Sequence, residues 1–587
     1  MARTPGTAAA RAGAWSLSEL PGPREAAAEE RRLRRAVAAL GRSRRLLRPS
    51  ITAAQVARIV SRIEAIHDSL GRIHAHAALS HAADTRSEEA SARLAAAERL
   101  AAQVSNGMLF FEQWWKVGLD ARNARRILGG LGRLEGHFAH MRLMARHTLP
   151  EEQERIINIM EVTGTSALVR LYDRLTSAYE YRVGRRSMGR EELSALVRSP
   201  RATVRRAAYR ALLSRFAANR GTLADIYSSV ASEWESVEVG LRSHASPISV
   251  RNMANNVDDR TVSALLRACE GGAPVFRRFF AAKARMLGLG KMRRYDLYAP
   301  VPGGRARNSY AEATGRVLGA MSSFSPEMAS MARRVIESCH VDSEVRKGKR
   351  DGAFCSTVTP GLDPYVLMSF TGTVEDTFTL AHELGHAVHS VAASSQSILA
   401  QGAPLPLAET ASTFSEALLH DSLMEGAPPA RRRAMLSSRL DSLYATIMRQ
   451  SFFTLFEQRA HKMVASGATA GEISAEYARG LRAQFGTSVE VSADFADEWV
   501  AIPHFYHAPF YCYAYSFGCL MALALSARRA EEGPAFAPTY MGILAAGGSE
   551  KPEDLMGRHG FDIGRASFWR GGMDYVARQT RELERLR

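Results

Sequence analysis

Apolar residues recur at three- to four-residue spacing along most of this chain. In ITAAQVARIVSRIEAIHDSLGRIHAHAALS they fall at Ile51, Val56, Ile59, Ile63, Ile66 and Leu70. That period predicts an amphipathic helix with one buried face. Similar patterns predict helices through 91–128, 152–183, 190–218, 222–238 and 259–287. No unit of roughly 20–50 residues repeats, so a solenoid is not expected. One short run departs from the helical period. PYVLMSF, 364–370, is apolar and bounded by Pro364 and Gly372. It predicts a strand in a chain otherwise almost free of them. Such a strand is either a sheet edge that accepts an extended peptide or part of a small hairpin.

Breaker-rich stretches lie at 298–308, 347–364 and 393–406. Residues 1–13 are expected to be disordered, 14–190 to form an N-terminal helical lobe, and 191–587 a catalytic domain. The segment 183–213 is expected to connect them as a helix–turn–helix. AIPHFYHAPFYCYAYSFGCLMALALSA, 501–527, carries no Asp, Glu, Lys or Arg. Its prolines, histidines and tyrosines suit a buried helix of a soluble protein better than a lipid-facing one.

TLAHELGHAVHS, 379–390, holds three histidines and a glutamate within one predicted helix. TVED at 373–376 is a Thr-x-x-Asp capping box that should start it. His382 and His386 are four apart and share a face. Two imidazoles so placed can bind one tetrahedral zinc, with Glu383 able to take a proton from water on the metal's open side. The plain alternative is a buried helix with two satisfied histidines. A third ligand separates the two readings. A Met-turn enzyme would carry Gly at 389 and His at 392; His389 and Ala392 exclude that class. A later carboxylate is the other route. PLPLAETASTFSEALLH begins at 404 and carries Glu409 and, seven residues on, Glu416. Acidic residues on one face of an apolar helix are costly unless a cation meets them. Glu409 is assigned as ligand and Glu416 as the group that orients a ligand histidine. His389 is read as a bystander. Gly385 serves close approach, of the 364–370 strand, of a substrate or of another helix.

Composition narrows the rest. The chain has 587 residues and a net charge of +17. Seven lysines against 70 arginines, spread along the chain, point to a compositional bias rather than a nucleic-acid patch. Five scattered cysteines, with no C-x-x-C, argue for free thiols in a reducing compartment. The N-terminus has no apolar segment of a signal peptide. A cytoplasmic protein is expected, with no membrane and no nucleic-acid partner.

FTLAHELGHAVHS followed by LAETASTFSE resembles the oligoendopeptidase F family and its thimet-oligopeptidase-like relatives. KGKRDGAFCS, PYVLMSFTGTVEDTF, RNMANNVDDRTVSALL, YDLYAPV, IPHFYHAPFYCYAYSFG and LAAGGSEKPEDLMGRHGFDI look like the same family, and WSLSEL does so weakly. The resemblance implies a mainly α, two-lobed metallopeptidase with a deep substrate channel and a small β-sheet next to the zinc helix. It implies one Zn2+ per chain on His382, His386 and Glu409, and Glu383 as general base for a zinc-activated water. His504, rather than His507, and Tyr513 match the oxyanion-stabilising pair. Tyr506, Tyr511 and Tyr515 are further substrate contacts, and substrate backbone is expected to pair with Tyr365, Val366 and Leu367, near Gly385. The implied activity is endopeptidase cleavage of short unstructured oligopeptides, by a monomer or weak homo-oligomer. A helical zinc carboxypeptidase and an inactive peptide-binding protein are the alternatives.

Overall fold

A computed structural model describes residues 13–303 and 307–586. The expected disorder of 1–13 lies almost entirely outside them. The fold is mainly α with a few small sheets. The periodic segments form helices, among them Ala53–Ala83, Glu88–Gln113, Ala202–Ala217, Arg220–Trp234 and Asp259–Met286. The 152–183 pattern splits at Gly164 into Glu151–Thr163 and Thr165–Ser177. The chain then turns through the hairpin Tyr181–Val183 and Arg186–Met188, so the connector at 183–213 opens with a strand rather than a helix.

Backbone contacts divide the chain into two compact units, each discontinuous in sequence. One comprises the described residues of Met1–Arg146, Arg305–Leu423 and Arg528–Gly560. The other comprises those of His147–Gly304, Met424–Ala527 and Phe561–Arg587. This partition differs from a break near residue 190, because the first unit is closed by segments distant in sequence.

The first unit is built on packed N-terminal helices, with Ile59, Ile66, Leu100, Val104, Phe111 and Trp115 in its core. It also holds a three-stranded sheet. Tyr365–Leu367 runs parallel to Val341–Asp342 and antiparallel to Phe354–Ser356. The strand predicted within PYVLMSF is therefore neither alone nor an edge. It is the central strand. Tyr365, Val366 and Leu367 are 0 % exposed. Tyr365 stacks on His340 at 3.9 Å and meets Trp15 edge-on at 6.0 Å. The expectation that these three residues pair with substrate is corrected. Both their edges are bonded and their side chains fill the core. The outer strand is Phe354–Ser356, paired only through Val366 and its neighbours.

The 501–527 stretch is not one helix. It forms a short turn of helix, His504–His507, and a longer helix, Tyr513–Glu532. Two prolines explain the break. Ala508, ahead of Pro509, leaves the helical region (φ −153°, ψ 80°), which proline disfavours for the residue before it. Phe510 then turns with φ +57°. Among the described residues no helix is long and apolar enough to cross a membrane.

Candidate active site

The helix Val374–Ala392 begins where the capping box predicts. Asp376 N–H donates to Thr373 Oγ1 at 3.1 Å, and the Asp376 carboxylate accepts from Thr373 N–H at 3.0 Å. Further along, this helix presents His382 and His386 with ring centroids 4.9 Å apart. The helix Leu405–Met424 brings Glu409 against both. Glu409 Oε2 lies 3.4 Å from His382 Nε2 and 3.6 Å from His386 Nε2. One donor atom from each of the three lies within 4.8 Å of the others, and among the described residues this is the one such group able to hold a metal ion.

The second helix also fixes the orientation of the site. Glu416 Oε1 accepts from His382 Nδ1 at 2.6 Å. That fixes Nδ1 as the donor to Glu416 and turns Nε2 toward Glu409. The Ala408 backbone and the Glu409 carboxylate both favour the charged form of the His386 ring. Ser412 Oγ holds Glu409 Oε2 at 3.0 Å. Ala408 and Ser412 are supporting groups that the sequence does not announce.

Gly385 explains how two helices come this close. A Cβ there would lie 2.6 Å from both the Ala411 carbonyl oxygen and Ser412 Cα. Its close approach is therefore helix against helix, not helix against substrate, and the expected substrate contact is corrected.

Electrostatics set the ionisable groups apart in the metal-free chain. Burial alone would lower His382, but its bond to Glu416 and the nearby carboxylates raise it to about 9. Burial and the His382 charge push His386 down to about 4. Glu383 is 5 % exposed and its Oε2 has no hydrogen-bond partner. Burial, helped by Glu409 and Glu416, lifts it to about 7. His389 is buried and pushed down to about 4, a neutral imidazole outside the three-ligand group. Cys355, on the outer sheet strand, is close enough to Glu383 for that carboxylate to help raise its thiol, after burial. The free-edged strand thus runs beside the motif helix.

The second unit gathers the other predicted residues, but not as paired in the sequence. His504 Nε2 is 3.3 Å from the Tyr515 hydroxyl, and its ring stacks on Tyr511 at 5.6 Å. All three are partly exposed. Tyr513 is 0 % exposed and its hydroxyl accepts from Asn255 Nδ2 at 2.8 Å. Tyr506 is 1 % exposed, stacked on Tyr172 at 3.8 Å, with its hydroxyl donating to Val500 O at 3.3 Å. Tyr506 is a core residue, which corrects its expected substrate contact. His507 Nε2 instead meets Asp173 Oδ1 at 2.8 Å, outside the contacts that join His504, Tyr511 and Tyr515. Glu457 and Arg251 pin the intervening turn. Glu457 Oε1 accepts from Phe510 N–H at 2.9 Å, and Arg251 Nε donates to Pro509 O at 3.0 Å. The block RNMANN, 251–256, signalled this support without showing what it holds.

A mainly α protein in which two helices gather two imidazoles, a carboxylate and a buried, unpartnered glutamate defines a hydrolase-like centre. The chain belongs to peptidase family M3, whose model matches residues 195–574. It is a peptidase. It is 25 % identical to an oligoendopeptidase F homolog of Lactococcus lactis subsp. lactis (strain IL1403), over 90 % of this chain and 89 % of that one. Oligopeptidase PepF of Bacillus subtilis (strain 168) is 31 % identical over 53 % of this chain and 47 % of its own length. The fold matches that of oligoendopeptidase-F from Enterococcus faecium with a TM-score of 0.70 at 23 % identity, over 94 % and 97 % of the two chains. A Chlamydophila abortus structure matches with a TM-score of 0.84 at 22 % identity, over 98 % of both.

Proposed function

We propose that this peptidase is a cytoplasmic zinc-dependent oligoendopeptidase that cuts internal bonds of short, unstructured peptides. Its catalytic domain would span 191–587 behind an N-terminal helical lobe at 14–190, acting as a monomer or weak homo-oligomer without nucleic-acid or membrane partners. The observation that carries the reading is the grouping of His382, His386 and Glu409 beside a buried, unpartnered Glu383.

The donor set fits zinc. Two imidazole nitrogens and one carboxylate oxygen are a ligand combination of catalytic zinc sites, which keep a fourth position open. When bound, zinc supplies a Lewis acid and makes water a nucleophile near neutral pH. The remaining chemistry belongs to the chain. Glu416 holds the His382 imidazole in register. Glu383 Oε2 takes a proton from the attacking water and returns it to the leaving amine. The outer edge of Phe354–Ser356 offers backbone groups to an extended peptide, a role that replaces the one expected of Tyr365–Leu367. His504 and Tyr515, partly exposed and in mutual contact, are proposed as hydrogen-bond donors to the peptide substrate.

The test is digestion of peptides blocked at both termini, read by mass spectrometry. Internal cleavage, lost on chelation and restored by Zn2+, is the expected result. Removal of residues only from free C-termini would instead establish a carboxypeptidase, and binding without turnover a non-catalytic peptide binder. A second measurement addresses the tyrosines. Tyr515→Phe should lower kcat by about 10²–10³-fold, the usual effect of losing one such donor. Tyr513→Phe should act through stability, with kcat changed only a few-fold. The reverse pattern restores Tyr513 to the reaction.

A further inference from the structure

A cluster of buried charges in the second unit takes no part in the proposed reaction. Arg294 is 2 % exposed. Its Nη2 donates to the two oxygens of Glu498 at 2.8 and 3.2 Å, yet its Nε and Nη1 have no partner. Arg449 stands in the same cluster. Its Nη1 reaches the Tyr298 hydroxyl at 3.5 Å, and its Nε has no partner. Its guanidinium lies 5.2 Å from the Phe453 ring centroid. Glu498 is already engaged by Arg294 and by the Tyr477 hydroxyl at 3.0 Å. Two guanidinium charges therefore share one carboxylate, and Arg449 forms no ion pair among the described residues.

The two arginines line one small cavity together with Tyr444, Phe453, Tyr477 and Gln484. Its volume is about 10 Å³, room for about one water-sized sphere. Phe452, Phe456, Gly480 and Leu481 complete the lining, so its free donors are those of the two arginines and Gln484. Tyr444 gives its hydroxyl proton to the Gln484 side-chain oxygen, which leaves that amide's NH2 to donate. A buried net positive charge is costly unless something of opposite sign meets it. A water molecule would accept from the unpartnered N–H groups but leave the charge uncompensated. A carboxylate or phosphate would satisfy the charge but exceeds a one-sphere cavity. A halide ion meets both conditions. Arg449 is the less buried of the two arginines and marks the side from which an ion would enter.

We propose that Arg294 and Arg449 bind a chloride-sized monovalent anion in this cavity, completing the buried ion network that Glu498 leaves half-neutralised. The network adjoins the proposed reaction in sequence. Glu498 lies six residues before His504, and Arg449 is one of the charges acting on the His504 ring, after burial and His507. Anion binding itself does not depend on the peptidase reading.

The experiment follows thermal unfolding of the full chain at constant ionic strength while sodium gluconate is replaced by sodium chloride or bromide. The expected result is a saturable rise in midpoint of roughly 2–4 °C with either halide. Arg449→Gln should unfold cooperatively and show no halide response, and Arg449→Lys should keep a weaker one. A midpoint indifferent to halide, or an equal rise in Arg449→Gln, overturns the proposal. Should Arg449→Gln fail to fold, bromide-soaked crystals of the parent decide. An anomalous peak between the two guanidinium groups is expected, and its absence overturns the site.

Discussion

Glu383→Gln should bind the same metal as the parent chain and hydrolyse peptides about 10²–10⁴-fold more slowly, the usual contribution of a positioned general base. The substitution keeps the shape of the side chain and removes its ability to take a proton. Metal affinity should hold because the three donor atoms that come within 4.8 Å belong to His382, His386 and Glu409, not to Glu383. Isothermal titration of the metal and steady-state kinetics on one blocked peptide read the two effects separately. Loss of metal together with activity would make Glu383 a ligand. Unchanged activity would remove it from the reaction.

The same residue fixes a pH dependence. A protonated Glu383 cannot accept a proton, so kcat/KM falls as pH drops through its pKa. Burial sets that value at about 7 in the metal-free chain. A dication next to the carboxylate favours its charged form and lowers the value. The acid limb of the loaded enzyme therefore lies below pH 7, and the residual rate of Glu383→Gln should lack it.

What the sequence made legible was local or chemically constrained. The Thr373 box, the i and i+4 histidines and a carboxylate on the following helix each leave a pattern in a few residues. The sheet did not, because strand order is a matter of distant pairing. Nothing in PYVLMSF shows that Val366 is flanked by both Val341 and Cys355. The tyrosines of 506–515 are a second case of the same kind. Pro509 and the left-handed Phe510 redirect the chain between His504 and the tyrosines that follow. After that turn it is Tyr515, eleven residues on, that meets the imidazole, while Tyr513 faces Asn255. Nothing in the local sequence says which of these rings is buried: Tyr506 and Tyr513 are, while Tyr511 and Tyr515 are partly exposed.

Gly385 is where the local rule and the tertiary structure pull in opposite directions, and Gly385→Ala separates them. By helix propensity alone, alanine inside Val374–Ala392 should stabilise the protein by about 1 kcal/mol. By packing, its Cβ would meet Ala411 O and Ser412 Cα at 2.6 Å. Both are backbone atoms, so no rotamer change relieves the contact and the Leu405–Met424 helix must retreat. Overpacking of this kind costs typically about 1–3 kcal/mol, enough to outweigh the propensity gain. Retreat also draws Glu409 away from both imidazoles and stretches the 2.6 Å bond from His382 to Glu416. The expected result is a lower unfolding midpoint, a fall in metal affinity of about 10–100-fold, as when a ligand's supporting partner is lost, and a matching loss of activity that excess metal partly restores. A higher midpoint with parent-like metal affinity would mean the two helices have slack between them. The glycine would then be dispensable to the site.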